Sequence, residues 1–359
     1  MKKSYVLALA VLLASCSNEE VEEAKVATSI SFQPVAKSAL VSRADATTTE
    51  NITNKDFVVY AFTQNDELYM GKPSDTAMGH APIEGIKIHY AKDAGMWNYV
   101  SEKDRAFWPM EPLDFYAFCP APNRDNEDYV AHMTADLSRH ITYRVPEDAD
   151  DDLDLLLAKT EGVERTTANG KVNLAFQHAL SQIVFKVAPK ADNIEIELTE
   201  VTYHNIKTKG QMDLEPNDDL STDKWKSTEV GDLTIKCNPS GGAVKVKSGE
   251  TKVIGTRFFI PQTLTKWEGN SSIEAAKKNG EYYMSLMCKI KQNGKYVCGS
   301  EHEYAKVYMS ANSTKEWKPG MTYNYSLSLK QGFDENGQKI VAPVEVEPSV
   351  GEFMLNKSK

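Results

Sequence analysis

The stretch from Leu153 to Val187 opens with Leu153-Asp154-Leu155-Leu156-Leu157-Ala158 and passes through a polar interruption from Lys159 to Gly170. It ends in Val172-Asn173-Leu174-Ala175-Phe176-Gln177-His178-Ala179-Leu180-Ser181-Gln182-Ile183-Val184-Phe185-Lys186-Val187. Val172, Leu174 and Phe176 alternate with Asn173, Ala175 and Gln177, and Ile183, Phe185 and Val187 repeat the pattern. A period of two is what a strand with one buried face requires. His178-Ala179-Leu180-Ser181 is too short for an ordinary helix and is read as a tight corner between two strands. The Ala188-Pro189-Lys190-Ala191-Asp192-Asn193 segment that follows stops strands and suits a domain boundary.

Working outward, the same grammar continues. Phe57 to Phe62, Ile86 to Tyr90, Met96 to Val100 and Leu113 to Pro120 read as short strands, with Leu113, Phe115 and Ala117 on one side of the last. Later come Ile194 to Thr199, Val201 to Leu214, Leu233 to Cys237 and Tyr282 to Met287, the last opening a hairpin through Gln292-Asn293-Gly294. Trp317-Lys318-Pro319-Gly320 reads as a turn feeding the alternating run Met321 to Leu329. No amphipathic helix of three or more turns stands out, so the chain is expected to be all-β and sandwich-like.

With 359 residues the chain is long enough for two cores. Its net charge of −10 is spread out and lacks a basic stripe, which argues against a nucleic-acid partner. At the N-terminus Lys2 and Lys3 precede an apolar run from Tyr5 to Leu13, the layout of a secretory signal peptide and too short for a permanent span. Leu13-Ala14-Ser15-Cys16 resembles a bacterial lipobox, in which Cys16 is acylated and becomes the first mature residue. Acyl chains contribute about 0.8 kcal/mol per buried methylene, so such a cysteine holds a protein to a membrane. The acidic Ser17 to Glu23 segment reads either as a solvated tether or, by resemblance, as a surface-export tag of Bacteroidetes lipoproteins.

Ile30 and Phe32 alternate with Ser29, Ser31 and Gln33 in a short strand, after which Lys37 to Glu50 turns small and polar, the composition of an exposed, protease-accessible loop. Arg43 is either an ordinary surface arginine or a trypsin-like processing site whose cleavage, leaving Ala44 at the new N-terminus, detaches the strand before it.

In order and spacing, Trp97-x-Tyr99, Phe107-Trp108-Pro109, the Leu113 to Pro120 strand, Asp154-Leu155-Leu156-Leu157-Ala158 and Leu174-x-Phe176-x-His178-Ala179-Leu180-Ser181 resemble the fimbrillin-like family. These are Bacteroidetes surface lipoproteins that build type V pili. The Trp317 to Leu329 turn and strand continues the resemblance, which thins out between Asn217 and Val253. It implies two tandem Greek-key, transthyretin-like β-sandwich domains at 44–188 and 189–359, behind a signal peptide at 1–16 and a tether with a removable first strand at 17–43. It also implies a non-enzymatic subunit, at the stalk or tip of a surface fimbrium, that partners other fimbrial subunits and serves adhesion and biofilm formation on the cell outer membrane.

The tail from Lys339 to Val350 alternates apolar and polar residues but carries Pro343 and Pro348, which confine a strand to an edge. It is either an edge strand of its own sandwich or, as the family implies, a donor placing Ile340, Val344 and Val346 into a neighbouring subunit's groove. A non-polymerising anchor, or a surface lipoprotein that captures glycans through Trp225 or Trp267, is the alternative function.

Catalytic and cofactor chemistry finds no motif. The seven histidines lack zinc-protease spacing. His178 near Ser181 has no Gly-x-Ser-x-Gly elbow and reads as a structural histidine. The acidic run Asp148 to Asp154 has Leu153 where an EF-hand needs glycine and Lys159 where it needs glutamate, so it reads either as a solvated turn, with no metal assigned, or as a weak calcium site. Cys119 and Cys237 are expected to be buried. Cys288 and Cys298 stand opposite each other, and could form a disulfide, if Gln292-Asn293-Gly294 is a three-residue loop; a two-residue Asn-Gly loop puts them on opposite faces.

Overall fold

In a computed structural model of the chain, the structure describes residues 28–36, 47, 51–72, 83–122, 128–133, 139–190, 192–214, 220–238, 240–310, 315–328, 332–333, 339–340 and 345–352; for residue 36 and those beyond 327 it describes the backbone path alone. The N-terminal part holds β1 (Ser31–Ala36), β2 (Phe57–Thr63), β3 (Ile86–Ala91), β4 (Met96–Tyr99), β5 (Leu113–Cys119), β6 (Tyr129–Met133) and β7 (Arg139–Arg144). The middle follows with β8 (Leu156–Val163), β9 (Lys171–His178), β10 (Ser181–Val187), β11 (Ile194–Asp213), β12 (Trp225–Lys236), β13 (Val244–Lys247) and β14 (Lys252–Phe259). Then come β15 (Tyr283–Gln292), β16 (Lys295–Cys298), β17 (Ala305–Met309), β18 (Met321–Ser328) and β19 (Glu345–Glu352). The fold is all-β, as the alternation predicts. The longest helix among the described residues is Ile273–Lys278, capped by the Ser272 side chain, which accepts from Ala275 N at 3.2 Å.

Three main sheets form. The first runs β1-β9-β8-β5-β2-β3-β4, the second β14-β10-β18-β19, and the third centres on β17-β15-β11-β7-β6. β9 keeps the expected one-sided alternation, with Val172, Leu174 and Phe176 buried and the residues between them exposed. The interior strands of the same sheet do not. Along β2, Phe57, Val59 and Ala61 enter one core while Val58, Tyr60 and Phe62 enter another. Phe115 and Ala117 likewise oppose Tyr116 and Phe118, and Leu156 and Ala158 oppose Leu155 and Leu157. Such strands read as continuous apolar runs, because both faces are covered.

The second of these cores is shared with residues far downstream, including Tyr203, Phe259, Leu286 and Trp317. Hydrogen bonding also crosses the 188/189 boundary expected from the sequence. β10 pairs with β14 and, in parallel, with β18, and β7 pairs with β11. The twenty-residue β11 is the spine of this half: β15 and β7 follow one another along one edge, β13 and β12 along the other. It absorbs a register shift at Asn205, whose φ of 55° suits a short polar side chain.

The His178 to Ser181 corner is where the sheets meet. Ala179 N donates to Leu155 O at 2.8 Å, Trp225 Nε1 donates to Ala179 O at 3.1 Å, and Ser181 Oγ donates to Lys318 O at 2.8 Å. Gly320, at φ 68°, donates its N–H to Leu180 O at 2.9 Å, so the Trp317-Lys318-Pro319-Gly320 turn docks on this corner. Trp317 is fully buried, donates to Tyr325 Oη at 2.9 Å and packs against Phe259 and Tyr282.

The acidic run departs from the expected solvated turn. Asp150 and Asp151 are exposed, but Asp152 accepts from Arg257 Nε at 2.8 Å and from Phe258 N at 3.0 Å. Asp154, 3% exposed, lies 2.7 Å from His178 Nδ1 and accepts from Thr47 N at 2.5 Å. These two carboxylates turn inward because buried partners await them. Among the described residues no group of three or more His, Cys, Asp or Glu is arranged to hold a metal ion.

Burial pushes the Asp152 carboxyl up to about 6, against the opposing pull of the Arg257 charge. Replacing the buried Arg257 by Met strands that carboxylate and costs about 3–5 kcal/mol near neutral pH. A carboxyl whose folded pKa exceeds its unfolded value favours folding below the unfolded pKa, and this contribution is lost as pH rises through the folded value. Losing Arg257 raises the folded value further, so the deficit of the variant is expected to shrink as pH falls from about 7 towards about 4. Urea unfolding of both proteins across that range checks this; a pH-independent deficit contradicts it.

Candidate functional site

β1 is an edge strand of the first sheet. On one side it runs parallel to β9, from Ser31 opposite Lys171 to Ala36 opposite Phe176. Gly170 O accepts from both Ser31 N, at 3.1 Å, and Ser31 Oγ, at 2.8 Å. Just upstream, the chain leans on the other edge of the sheet. Ile30 N donates to Ala106 O at 2.9 Å, Trp108 N donates to Thr28 O at 3.0 Å, and Tyr99 Oη donates to Ile30 O at 2.9 Å. Burial pushes the Tyr99 phenol up to about 12, which keeps this donor protonated.

Alternation sets what β1 contributes. Ile30, Phe32 and Pro34 point inward, while Gln33 and Val35 are exposed. Phe32 meets Phe57, Tyr99 and Phe115 edge-on, with centroids 6.0–6.3 Å apart. Burying a side chain such as Ile30 or Phe32 stabilises by about 1.5–3 kcal/mol. Pro34 offers no amide hydrogen, which a strand bonded along one side tolerates. β1 therefore supplies two large side chains to a core otherwise built from residues after 51, through a parallel ladder that is slightly weaker per residue than an antiparallel one.

The tail lies elsewhere. β19 is antiparallel to β18 at the edge of the second sheet, with Val346 opposite Leu327 and Pro348 opposite Tyr325. Its edge position agrees with the proline rule. Ile340 lies in the two-residue strand Lys339–Ile340, paired with Gly332–Phe333 in the third sheet. Cys16, Arg43, Ala44 and Val344 lie outside the described residues.

Cys288 and Cys298 come together as free thiols, their sulfurs 3.9 Å apart, and Cys119 and Cys237 are buried as expected. The two tryptophans nominated for glycan capture are not exposed. Trp225 is 2% and Trp267 0% exposed, and Trp267 Nε1 donates to Ser271 Oγ at 3.1 Å. Their polar sequence surroundings hid that these rings cover strand faces.

One constellation has no signature in the sequence. His204 Nε2 lies 2.8 Å from Ser285 Oγ, and its Nδ1 lies 2.8 Å from Asp232 Oδ2, across β15, β11 and β12. The residues are separated by 81 and 28 positions, and only strand pairing brings them into line. Ser285 is 2% exposed and His204 stacks on Tyr283 at 4.4 Å, so the hydroxyl has no open approach for a substrate; the row works as a cross-strand polar ladder.

What the fold and this site define is an all-β protein whose first sheet has at its edge β1, the first strand among the described residues. The chain belongs to the fimbrillin-like family, whose profile matches residues 19–348. A fimbrial protein from Bacteroides vulgatus ATCC 8482 shares the fold, at a TM-score of 0.56 and 13% identity over 91% of this chain and 99% of that one. A fimbrial assembly protein from Parabacteroides distasonis ATCC 8503 is matched at a TM-score of 0.41 and 13% identity, over 89% and 99% of the two chains. A search of curated proteins returns no match.

If β1 is seated as described, Phe32→Ala costs about 3–5 kcal/mol, whereas Val35→Ala on the outward face stays within about 0.5 kcal/mol. Urea denaturation of the two variants separates them; equal effects contradict the assigned faces.

Proposed function

We propose that the chain is a structural subunit, at the stalk or tip, of a cell-surface fimbrium that mediates adhesion and biofilm formation. It travels as a lipoprotein acylated at Cys16 on the outer membrane, and cleavage between Arg43 and Ala44 prepares it for assembly by strand exchange with other subunits. Membership of the fimbrillin-like family supports the fimbrial reading. The observation that carries the assembly step is β1. It precedes Arg43, fills the edge of a formed sheet, and is bonded to the remainder through one parallel ladder and a few hydrogen bonds.

Cleavage after Arg43 leaves that strand without a covalent tie to the sheet it completes. Its departure opens a groove floored by Phe57, Tyr99, Phe115 and Phe176, with the β9 edge free to bond. A tail from another subunit, carrying Ile340, Val344 and Val346, replaces it by strand addition, in which main-chain hydrogen bonds give affinity and alternate side chains give register. The reading requires no catalytic residue and no cofactor, and its partners are other subunits and the surface ligands they meet.

The test is N-terminal sequencing and intact mass of the protein recovered from cells, before and after treatment with an arginine-specific protease. A chain beginning at Ala44 that forms SDS-resistant ladders, lost when residues after Lys339 are deleted, is the expected outcome. A chain that stays acylated at Cys16, uncleaved and monomeric overturns it in favour of a non-polymerising anchor. The glycan-capture alternative loses its nominated residues with the burial of Trp225 and Trp267.

A further inference from the structure

β15 and β16 are joined by the two-residue loop Asn293-Gly294, with φ of 51° and 77° and Gln292 opposite Lys295. A regular ladder from that loop would set Cys298 opposite Lys289, on the other face from Cys288. The structure departs from this at one place. Lys291 faces Tyr296, but Ile290 faces Cys298, so Val297 is an extra residue in a bulge. The bulge turns Cys298 onto the face of Ile290 and Cys288, which explains the 3.9 Å between the two sulfurs.

The surroundings hold the pair in place, with Cys298 the less deeply buried member. Cys288 is fully buried and Cys298 is 8% exposed. Gly299, at φ 71°, lies so close that a Cβ there would sit 2.8 Å from Glu303 O and 3.2 Å from Cys288 O. Lys289 Nζ donates to Glu301 O at 2.6 Å and Ser300 N to Glu303 O at 2.8 Å, folding the exposed 299–303 loop back beside the thiols. Cys119 and Cys237 lack this arrangement, and burial pushes each up to about 12.

We propose that Cys288 and Cys298 form a redox-sensitive dithiol that closes to a disulfide by exchange with an external disulfide and pins β16 to β15. The order of attack follows from the pair itself. A hydrogen bond from the Cys288 thiol holds the Cys298 thiol below its ordinary pKa, while the same bond and burial hold Cys288 well above its own. Cys298, the more acidic and the less deeply buried of the two, is thus the attacking sulfur. It bonds to one sulfur of the donor, the donor S–S bond breaks, and the departing thiolate takes up a proton. Cys288 then loses its proton, attacks Cys298 Sγ in the mixed disulfide, and expels the second donor sulfur as a thiol. The two cysteines lose two electrons and two protons, and the donor disulfide gains both. To bond, the sulfurs close from 3.9 Å to about 2 Å, a side-chain rotation at a bulge that is already displaced from the regular ladder.

The inference is independent of how the chain assembles. It is tested on the folded full chain, incubated with glutathione disulfide, alkylated with iodoacetamide and digested with trypsin. Lys289, Lys291 and Lys295 separate the cysteines, so a Cys288–Cys298 bond appears as one species joining the peptides Asn279–Lys289 and Tyr296–Lys306. Cys288→Ala is expected to stop at a glutathione adduct on Cys298, and Cys298→Ala to leave Cys288 unmodified. Two alkylated thiols in the folded wild type after oxidation, or a bond from either cysteine to Cys237, overturns the proposal. Faster glutathionylation of Cys288 than of Cys298 overturns the assigned order. The wild-type measurement stands even if a variant does not fold.

Discussion

The covering of the first sheet on both faces is the constraint on which the rest of the structure depends. β2, β5 and β8 send alternate side chains into two cores, so neither core exists without the same backbone between them. One core is shared with the second and third sheets. The other is closed by β9 and β1. A strand whose two faces are both buried cannot leave without opening both cores, whereas an edge strand with one buried face can. That difference separates β1, an edge strand with one buried face, from the interior strands β2, β5 and β8.

Polar groups fix how the layers join. The corner at His178 to Ser181 turns the chain from the first sheet into the second, and its carbonyls are met by Trp225 and by Gly320 of the Trp317 turn. Asp154 ties His178 to the backbone of Thr47, and Asp152 ties Arg257 to the loop before β8. A buried carboxylate is tolerated when it is paired and hydrogen-bonded, and it becomes costly when its partner is lost. Two of the five aspartates in an acidic run that looks solvated therefore serve as internal fastening.

The two edges differ in kind. β1 is held in parallel to β9 and contributes Ile30 and Phe32 to a core formed by later residues. β19 lies antiparallel along β18, and Pro348 marks the strand as one bonded along a single side. Each of these strands is thus bonded along one side only, one in parallel and one antiparallel.

The sequence by itself determined many of the strands, the all-β class and the corner at His178, but did not mark Tyr129–Met133, Arg139–Arg144 or Val244–Lys247. Each rests on local chemistry: alternation with a period of two, turn residues at the breaks, and runs too short for helices. The motifs from Trp97 to Ser181 carried the family, although not the work of their members; Tyr99, quoted there as part of a motif, donates to Ile30 and helps to seat β1. Tertiary structure alone decided what each face packs against. Period two says that a face is buried, not by what, so it could not show that β10 and β7 pair with strands beyond residue 188, or that Trp225 and Trp267 are covered. Nor could it align Ser285 with His204 and Asp232, or place Cys298 beside Cys288, since a single bulged residue at Val297 reverses the face that the loop length predicts. Contacts between residues distant in sequence depend on register and bulges, and these are settled only when the sheets have formed.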